Sequence, residues 1–279
     1  VGLELAQAFR RFGSRVTIVE QAPSLIHRED ADVTEAMEQL FADEEITLST
    51  GTEIERVTGR SGEAVRVQGR RDQEEVVIEG THLLVATGRT PNTDDIGIDA
   101  AGVEVNERGH IRVDDRLQTT ADNVWAVGDC AGSPYFTHIG FDDFRIVRDN
   151  LNGGNRVKTG RLVPWCLFTD PELARIGLSE REAQESDIPY RLFKVPISAV
   201  LRTRTLSESH GFLKALVETD SDSILGFTAF GPHAGEVMAV VQVAMSAGLP
   251  YTKLRDEVLT HPTIAEGLIA LFTSTPTKP

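Results

Sequence analysis

Apolar side chains at Leu3, Leu5, Ala6, Ala8, Phe9 and Phe12 recur at helical spacing, and Gly13 follows as a stop. The pattern predicts a helix over residues 1–12. Residues 15–20 form a β-rich run closed by an acid, Glu20. A second helix is expected over 33–42, with Asp30 or Asp32 near its start, and a strand over 46–48. Three alternating runs at 54–57, 64–67 and 76–78, broken by Gly59, Gly62 and Gly69, predict a small antiparallel meander. Two continuous apolar runs, 83–86 and 124–127, read as short buried strands. The first leads into Thr87-Gly88-Arg89. The second ends in Gly128-Asp129, where a glycine lets backbone approach a ligand. An acidic, helix-like run starts at Phe141.

After the polar linker 152–155, a new unit opens at 163–168. Ser179 and Glu182 have the spacing of a capping box at a helix start. Strands are expected at 190–195, 211–218 and 224–230, and a helix at 235–247. Pro262 reads as the first residue of a last helix, with His261 just ahead of it. Strands followed by helices suggest an α+β layer here, after an α/β, Rossmann-like first part.

Helix, glycine, strand and acid make the back half of a βαβ dinucleotide unit. In such a unit an acid about 20 residues after the glycine loop holds the ribose 2′-hydroxyl. Glu20 lies 18 positions after Gly2. Gly2 is then the last glycine of a G-x-G-x-x-G loop, and the first two glycines and the first strand are expected to precede Val1. Glu20 also has a plainer reading as a solvated strand end. An acid here repels a 2′-phosphate, so NADH is expected over NADPH, a preference that Arg28 could offset.

Composition works mainly by exclusion. A length of 279 residues suggests about two domains. Hydrophobic content of 40% and charged content of 25% are ordinary for a soluble globular chain. No apolar run approaches a membrane span. A net charge of -15 disfavours sequence-independent nucleic-acid binding. Neither a membrane nor a nucleic-acid partner is expected. Cys130 and Cys166 form no close pair, which fits a cytoplasmic location and no metal site.

Four motifs stand in order: Ala86-Thr87-Gly88-Arg89-Thr90-Pro91-Asn92, then Val127-Gly128-Asp129, then Thr169-Asp170-Pro171-Glu172 leading to Ile176-Gly177, then His261-Pro262-Thr263-Ile264-Ala265-Glu266. Together they resemble the pyridine nucleotide–disulfide oxidoreductases, flavoenzymes such as dihydrolipoamide dehydrogenase, glutathione reductase and mercuric reductase. The resemblance covers essentially the whole chain, and Gly2-Leu3-Glu4 matches the Gly-x-Glu of that family. It implies a nicotinamide-nucleotide domain over 1–84, the returning part of an FAD domain over 85–155, and an α+β dimerisation domain over 156–279. The FAD-phosphate glycine loop and the redox cysteine pair of that family are not among these residues.

The resemblance also implies roles. Gly2, Glu4, Glu20, Ile54 and Gly88 would contact the nicotinamide nucleotide. Asp129 would accept hydrogen bonds from the ribityl chain of FAD. Tyr135, Phe136, Thr137 and His138 would lie against the flavin, and the helix that follows would stabilise the reduced ring. Asp129 has the alternative of capping its own turn. Arg89 either contacts a phosphate or faces solvent, His138 reads as a packing residue, and Cys130 as a small buried one. His261 and Glu266 would be the acid–base pair of one subunit of a homodimer, serving the flavin and disulfide of the other. A carboxylate fixes the tautomer of a histidine base and raises its basicity. Thiol–disulfide exchange needs such a base because the thiolate is the nucleophile. Glu266 reaches the ring only if the turn bends the two together.

The implied function is that of an FAD-dependent NAD(P)H oxidoreductase that reduces a disulfide or a metal-ion substrate. Authenticated mercuric reductases carry Tyr where His261 stands and a cysteine pair near the C-terminus. The tail from Ser274 to Pro279 has no cysteine, so the chain resembles the dihydrolipoamide dehydrogenase side or the loosely named mercuric reductase-like enzymes. Two other readings stay open: an NADH oxidase or metal-ion reductase that does not use His261, and a non-catalytic dimerising remnant. These 279 residues alone are expected to show no disulfide reductase turnover, and to be either poorly soluble or only partly ordered over the first 80.

Overall fold

A computed structural model describes residues 1–277; Lys278 and Pro279, at the end of the cysteine-free tail, lie outside the described residues. The chain divides into two compact units. One combines Val1–Ala86 with the chain from Pro164 onward, and the other is Thr87–Val163.

The first unit begins with α1 (Gly2–Arg11), β1 (Thr17–Val19), α2 (Ala31–Asp43) and β2 (Thr47–Ser49). β1 and β2 pair in parallel, Thr17 opposite Thr47. The meander forms as β3 (Glu53–Arg60), β4 (Ala64–Arg71) and β5 (Glu74–Gly80), antiparallel in that order. Gly69 does not break it. It sits inside β4 at an irregularity in register, where a Cβ would stand 2.3 Å from the Glu53 carbonyl oxygen. Glycine is required there because the neighbouring backbone comes too close for any side chain.

Residues 83–86 are not a buried strand. Leu83, Leu84 and Val85 are exposed, and the Leu83 N–H donates to the Ser61 hydroxyl rather than to a strand. A strand needs a paired edge, and among the described residues none runs beside this segment. On α1, Leu3 packs on the core, while Phe12, just past the helix, is 82% exposed.

In the second unit, residues 124–127 are likewise no buried strand. Val124 and Val127 are exposed, and only Ala126 is buried. The segment makes one isolated bridge, Gln118 to Trp125, before the turn Gly128–Ala131. Short bridges without a ladder bury one residue in the run rather than four. Ala126 instead joins Val103, Ile111 and Ala131 in a small core. Helix α3 (Thr137–Leu151) begins at Thr137, earlier than Phe141, and buries Ile139, Asp143 and Ile146 on one face.

The first unit resumes with β6 (Trp165–Leu167), β7 (Glu172–Gly177), α4 (Glu180–Glu185), β8 (Tyr190–Pro196), α5 (Leu201–Thr205), β9 (Phe212–Glu218), β10 (Ile224–Gly231), α6 (Ala234–Ser246), α7 (Tyr251–Arg255) and α8 (Gly267–Thr273). The strands form one antiparallel sheet in the order β6-β7-β10-β9-β8. The capping box forms as the spacing predicts. The Glu182 N–H donates to Ser179 Oγ at 3.1 Å, and the Ser179 N–H donates to Glu182 Oε2 at 2.8 Å. The final helix starts at Gly267, not at Pro262; residues 261–266 form turns ahead of it.

Leu25, Val33, Met37 and Phe41, around α2, share one buried cluster with Leu173, Phe212 and Phe230 of the sheet. An ionic cluster adjoins it. Lys214, on β9, is fully buried, with Nζ 2.8 Å from Asp30, 2.7 Å from Asp32 and 2.9 Å from Glu180. Asp30 also accepts the N–H groups of Glu180 and Arg181 at the start of α4. Burial pulls the ammonium of Lys214 down, but hydrogen bonds to Asp30 and Asp32 outweigh it, so its pKa lies above the usual lysine value. Burial raises Asp30 and Asp32, and their lysine partners more than reverse this. A buried charge is tolerated only when paired in this way.

Candidate functional site

The sequence-derived residues fall in three places. The first lies in the first unit. Gly2 opens α1, and a Cβ there would stand 3.1 Å from Ala86 Cβ. The bare backbone lets the helix start close against the 83–86 segment, the packing role of the last glycine in a nucleotide loop. Glu4 is engaged within the protein: its Oε1 accepts the Phe168 N–H at 2.9 Å. Glu20 follows the C-terminal end of β1, half-buried, with Oε1 accepting the Ala22 N–H at 2.9 Å. Ile54 is exposed on β3, opposite Gly69.

The second place is in the Thr87–Val163 unit. Gly88 has φ 122°, a conformation that favours glycine. Arg89 is 58% exposed at its side chain, and its Nη1 lies 3.2 Å from Asp129 Oδ2. The turn Gly128–Ala131 has Val127 at its N-cap, and the Asp129 carboxylate pairs with Arg89. The Asp129 side chain remains 45% exposed, so its oxygens are open to hydroxyl donors. Gly128 has φ 69° and faces Gly140, whose Cα would lie 3.7 Å from a Cβ at 128. Two residues without side chains thus meet next to the half-exposed Asp129. That combination fits the polyol chain and close backbone approach of a bound flavin nucleotide.

Tyr135 precedes α3, and its hydroxyl hydrogen-bonds to His110 Nε2. Phe136 is the residue before the first helical turn, and Thr137 and His138 begin that turn. The rings of Phe136 and His138 stack with centroids 5.3 Å apart and planes at 17°. His110 and Asp143 belong to this site and are not evident from motifs. Asp143 is fully buried and accepts the Gly128 N–H at 2.8 Å and the Ser133 hydroxyl at 2.7 Å. Its signal in the sequence is helical: Ile139, Asp143 and Ile146 share the inward face of α3, and an acid on that face needs a partner.

The third place is His261 and Glu266, again in the first unit. His261 Nδ1 lies 2.8 Å from Glu266 Oε2. The turn closes them, with the Glu266 N–H donating to Thr263 Oγ1 and the Thr263 hydroxyl donating to the Thr260 carbonyl oxygen. The His261 side chain is 63% exposed and that of Glu266 16%. A carboxylate on Nδ1–H leaves Nε2 as the basic nitrogen.

Cys130 and Cys166 are free thiols; Cys130 Sγ points to the Val127 carbonyl oxygen. Burial pushes the Cys166 thiol up to about 12, helped by the charges of Glu172 and Glu4, so it is a poor nucleophile at neutral pH.

Known proteins resemble this chain over nearly all of its length. The family model described as pyridine nucleotide-disulphide oxidoreductase matches residues 1–143, and its dimerisation-domain model matches 163–271. The Escherichia coli (strain K12) protein named probable pyridine nucleotide-disulfide oxidoreductase RclA is 38% identical over 274 residues, covering 98% of this chain and 61% of that protein. The dihydrolipoyl dehydrogenase of Thermus scotoductus is 34% identical over 96% of this chain and 58% of its own length. A mercuric reductase of Lysinibacillus sphaericus is 33% identical over 96% of this chain and 49% of its own length. The chain thus spans half to three-fifths of these relatives. Among solved structures, the HOCl-induced flavoprotein disulfide reductase RclA from Escherichia coli superposes with a TM-score of 0.89 at 38% identity, covering 97% of this chain and 62% of that one.

Proposed function

The chain belongs to the pyridine nucleotide-disulphide oxidoreductase family, and from that premise we propose that it serves an FAD-dependent NAD(P)H oxidoreductase acting on a disulfide or a metal-ion substrate. The observation that carries this reading is the His261–Glu266 pair, held at 2.8 Å by a turn and open to solvent at the ring. Bound FAD and nicotinamide would supply the two-electron relay to a disulfide. The residues of this chain would do the rest. Glu20 would take the ribose hydroxyls and disfavour a 2′-phosphate, so NADH is the preferred donor. Gly2, Glu4, Ile54 and Gly88 would line the nucleotide path. Asp129 would hold the ribityl hydroxyls, with Tyr135, Phe136, Thr137 and His138 alongside the ring.

In this reading residues 1–84 bind nucleotide, 85–155 complete a flavin domain and 156–279 form a homodimer interface. Dimerisation would let the exposed imidazole of His261 take the proton of a thiol in the second subunit, with Glu266 holding the tautomer. No helix of the described residues is long and apolar enough to cross a membrane, and a cytoplasmic location fits the two free thiols.

Titration of the chain with FAD and with NADH, followed by flavin fluorescence and calorimetry, tests the reading. Saturable binding of both, weakened by Asp129→Ala for FAD and by Glu20→Ala for NADH, is the expected result. Saturable binding left unchanged by both Asp129→Ala and Glu20→Ala would overturn the proposal.

A further inference from the structure

We propose that Asp143 is a positioning residue for the flavin motif, setting the turn that presents Asp129. The proposal rests on the flavin reading above for its purpose, but its geometry is independent of any ligand. Asp143 comes from the middle of α3, remote in sequence from the turn it holds. Its side chain is fully buried, which is unusual for a carboxylate and demands complete pairing. The pairing is complete. Oδ2 accepts the backbone N–H of Gly128 at 2.8 Å and the hydroxyl of Ser133 at 2.7 Å. Oδ1 accepts from the guanidinium of Arg161, which supplies the opposite charge.

Gly128 is the residue at which the chain reverses. Val127 is extended, at φ -134° and ψ 153°; Gly128 has φ 69° and the following residues coil into a short turn ended by Gly132. A lone glycine at positive φ has wide conformational freedom. A charge-assisted hydrogen bond to its N–H from a rigid helix removes that freedom. The direction in which Asp129 leaves the turn is therefore decided by Asp143, with Ser133 and Arg161 holding the carboxylate in place. Asp129 would touch the ligand, whereas Asp143 acts through the backbone behind it.

Two readouts on the full chain decide the matter. The first is amide hydrogen exchange at Gly128 and Asp129 in wild type, Asp143→Ala, Asp143→Asn and Asp149→Asn. Asp149 accepts the Arg156 N–H near the other end of α3, so its variant controls for lost charge on the helix. The expected result is faster Gly128 exchange, by about tenfold or more, in Asp143→Ala, with partial rescue in Asp143→Asn, which keeps one acceptor oxygen. Asp149→Asn stays at the wild-type rate. The second readout is FAD affinity by fluorescence quenching, expected to fall in the same order. Unchanged Gly128 exchange in a folded Asp143→Ala protein overturns the proposal. If Asp143→Ala does not fold, equal Gly128 exchange in Asp143→Asn and wild type overturns it instead. Altered exchange in a chain whose wild type takes up no FAD upholds the positioning role and sinks only the flavin reading.

Discussion

His261 and Glu266 meet at 2.8 Å because the chain between them turns without becoming helix, and Glu266 itself stands at the cap of α8. The pair is thus fixed from the carboxylate side, while the ring stays open. Replacing Glu266 with Gln should release the tautomer rather than unfold the segment. In nitrogen-15 spectra of the wild type, one neutral tautomer of His261 should dominate, with the proton on Nδ1. Glu266→Gln should show a mixture. A single unchanged tautomer in the variant would remove Glu266 from its assigned role.

Arg89 and Asp129 form an exposed ion pair at 3.2 Å. Such pairs contribute about 0–1 kcal/mol, so Asp129→Ala should leave the unfolding midpoint in denaturant nearly unchanged. Its effect should fall on FAD affinity, with a loss of about tenfold or more from missing charged hydrogen bonds. A large stability loss without an affinity loss would make Asp129 a structural residue.

Lys214 should behave in the opposite way. Lys214→Met leaves Asp30, Asp32 and Glu180 near one another without their shared cation. The expected cost is about 3–5 kcal/mol. The sign with pH follows from the shifts. Lys214 is raised on folding, so its contribution is complete below the ordinary lysine pKa and fades as pH rises through the folded value. Asp30 and Asp32 are lowered, so theirs is complete above the ordinary aspartate pKa and fades as pH falls through the folded values. The gap between wild type and variant should be widest between about pH 5 and 9 and close at both ends. Denaturation curves across pH would show it.

Cys166 should resist alkylation. With its thiol pushed up to about 12 by burial, iodoacetamide at pH 8 should label it slower by about two orders of magnitude or more in the native chain than in the denatured one. Peptide mass spectrometry resolves the two cysteines. Rapid native labelling of Cys166 would contradict the burial.

Legibility in the sequence tracks how local the cause is. The helix from Gly2, the meander and the Ser179–Glu182 box are set by residues a few positions apart, and the pattern of the sequence suffices for them. The His261–Glu266 pair is legible as a motif, although the turn that joins it is not, because a proline is as compatible with a turn as with a helix start. The runs at 83–86 and 124–127 mislead for another reason. Four apolar residues state a preference for burial but name no partner to provide it. Lys214 is hidden by distance: its bonds reach Asp30 and Asp32 across 184 and 182 residues. Asp143 could be found only by asking why an acid occupies the inward face of α3.

The core that Leu25, Val33, Met37 and Phe41 share with Leu173, Phe212 and Phe230 bears on how this chain could have been inherited. The two family matches divide the sequence between residues 143 and 163, yet that packing joins segments from both sides of the division. Recombination that exchanged only the first or only the last part would bring together surfaces that had not changed in step. Substitutions around α2 should therefore be compensated by changes on β7, β9 and β10, and chimaeras cut near residue 163 should fold well only when both parental halves come from close relatives.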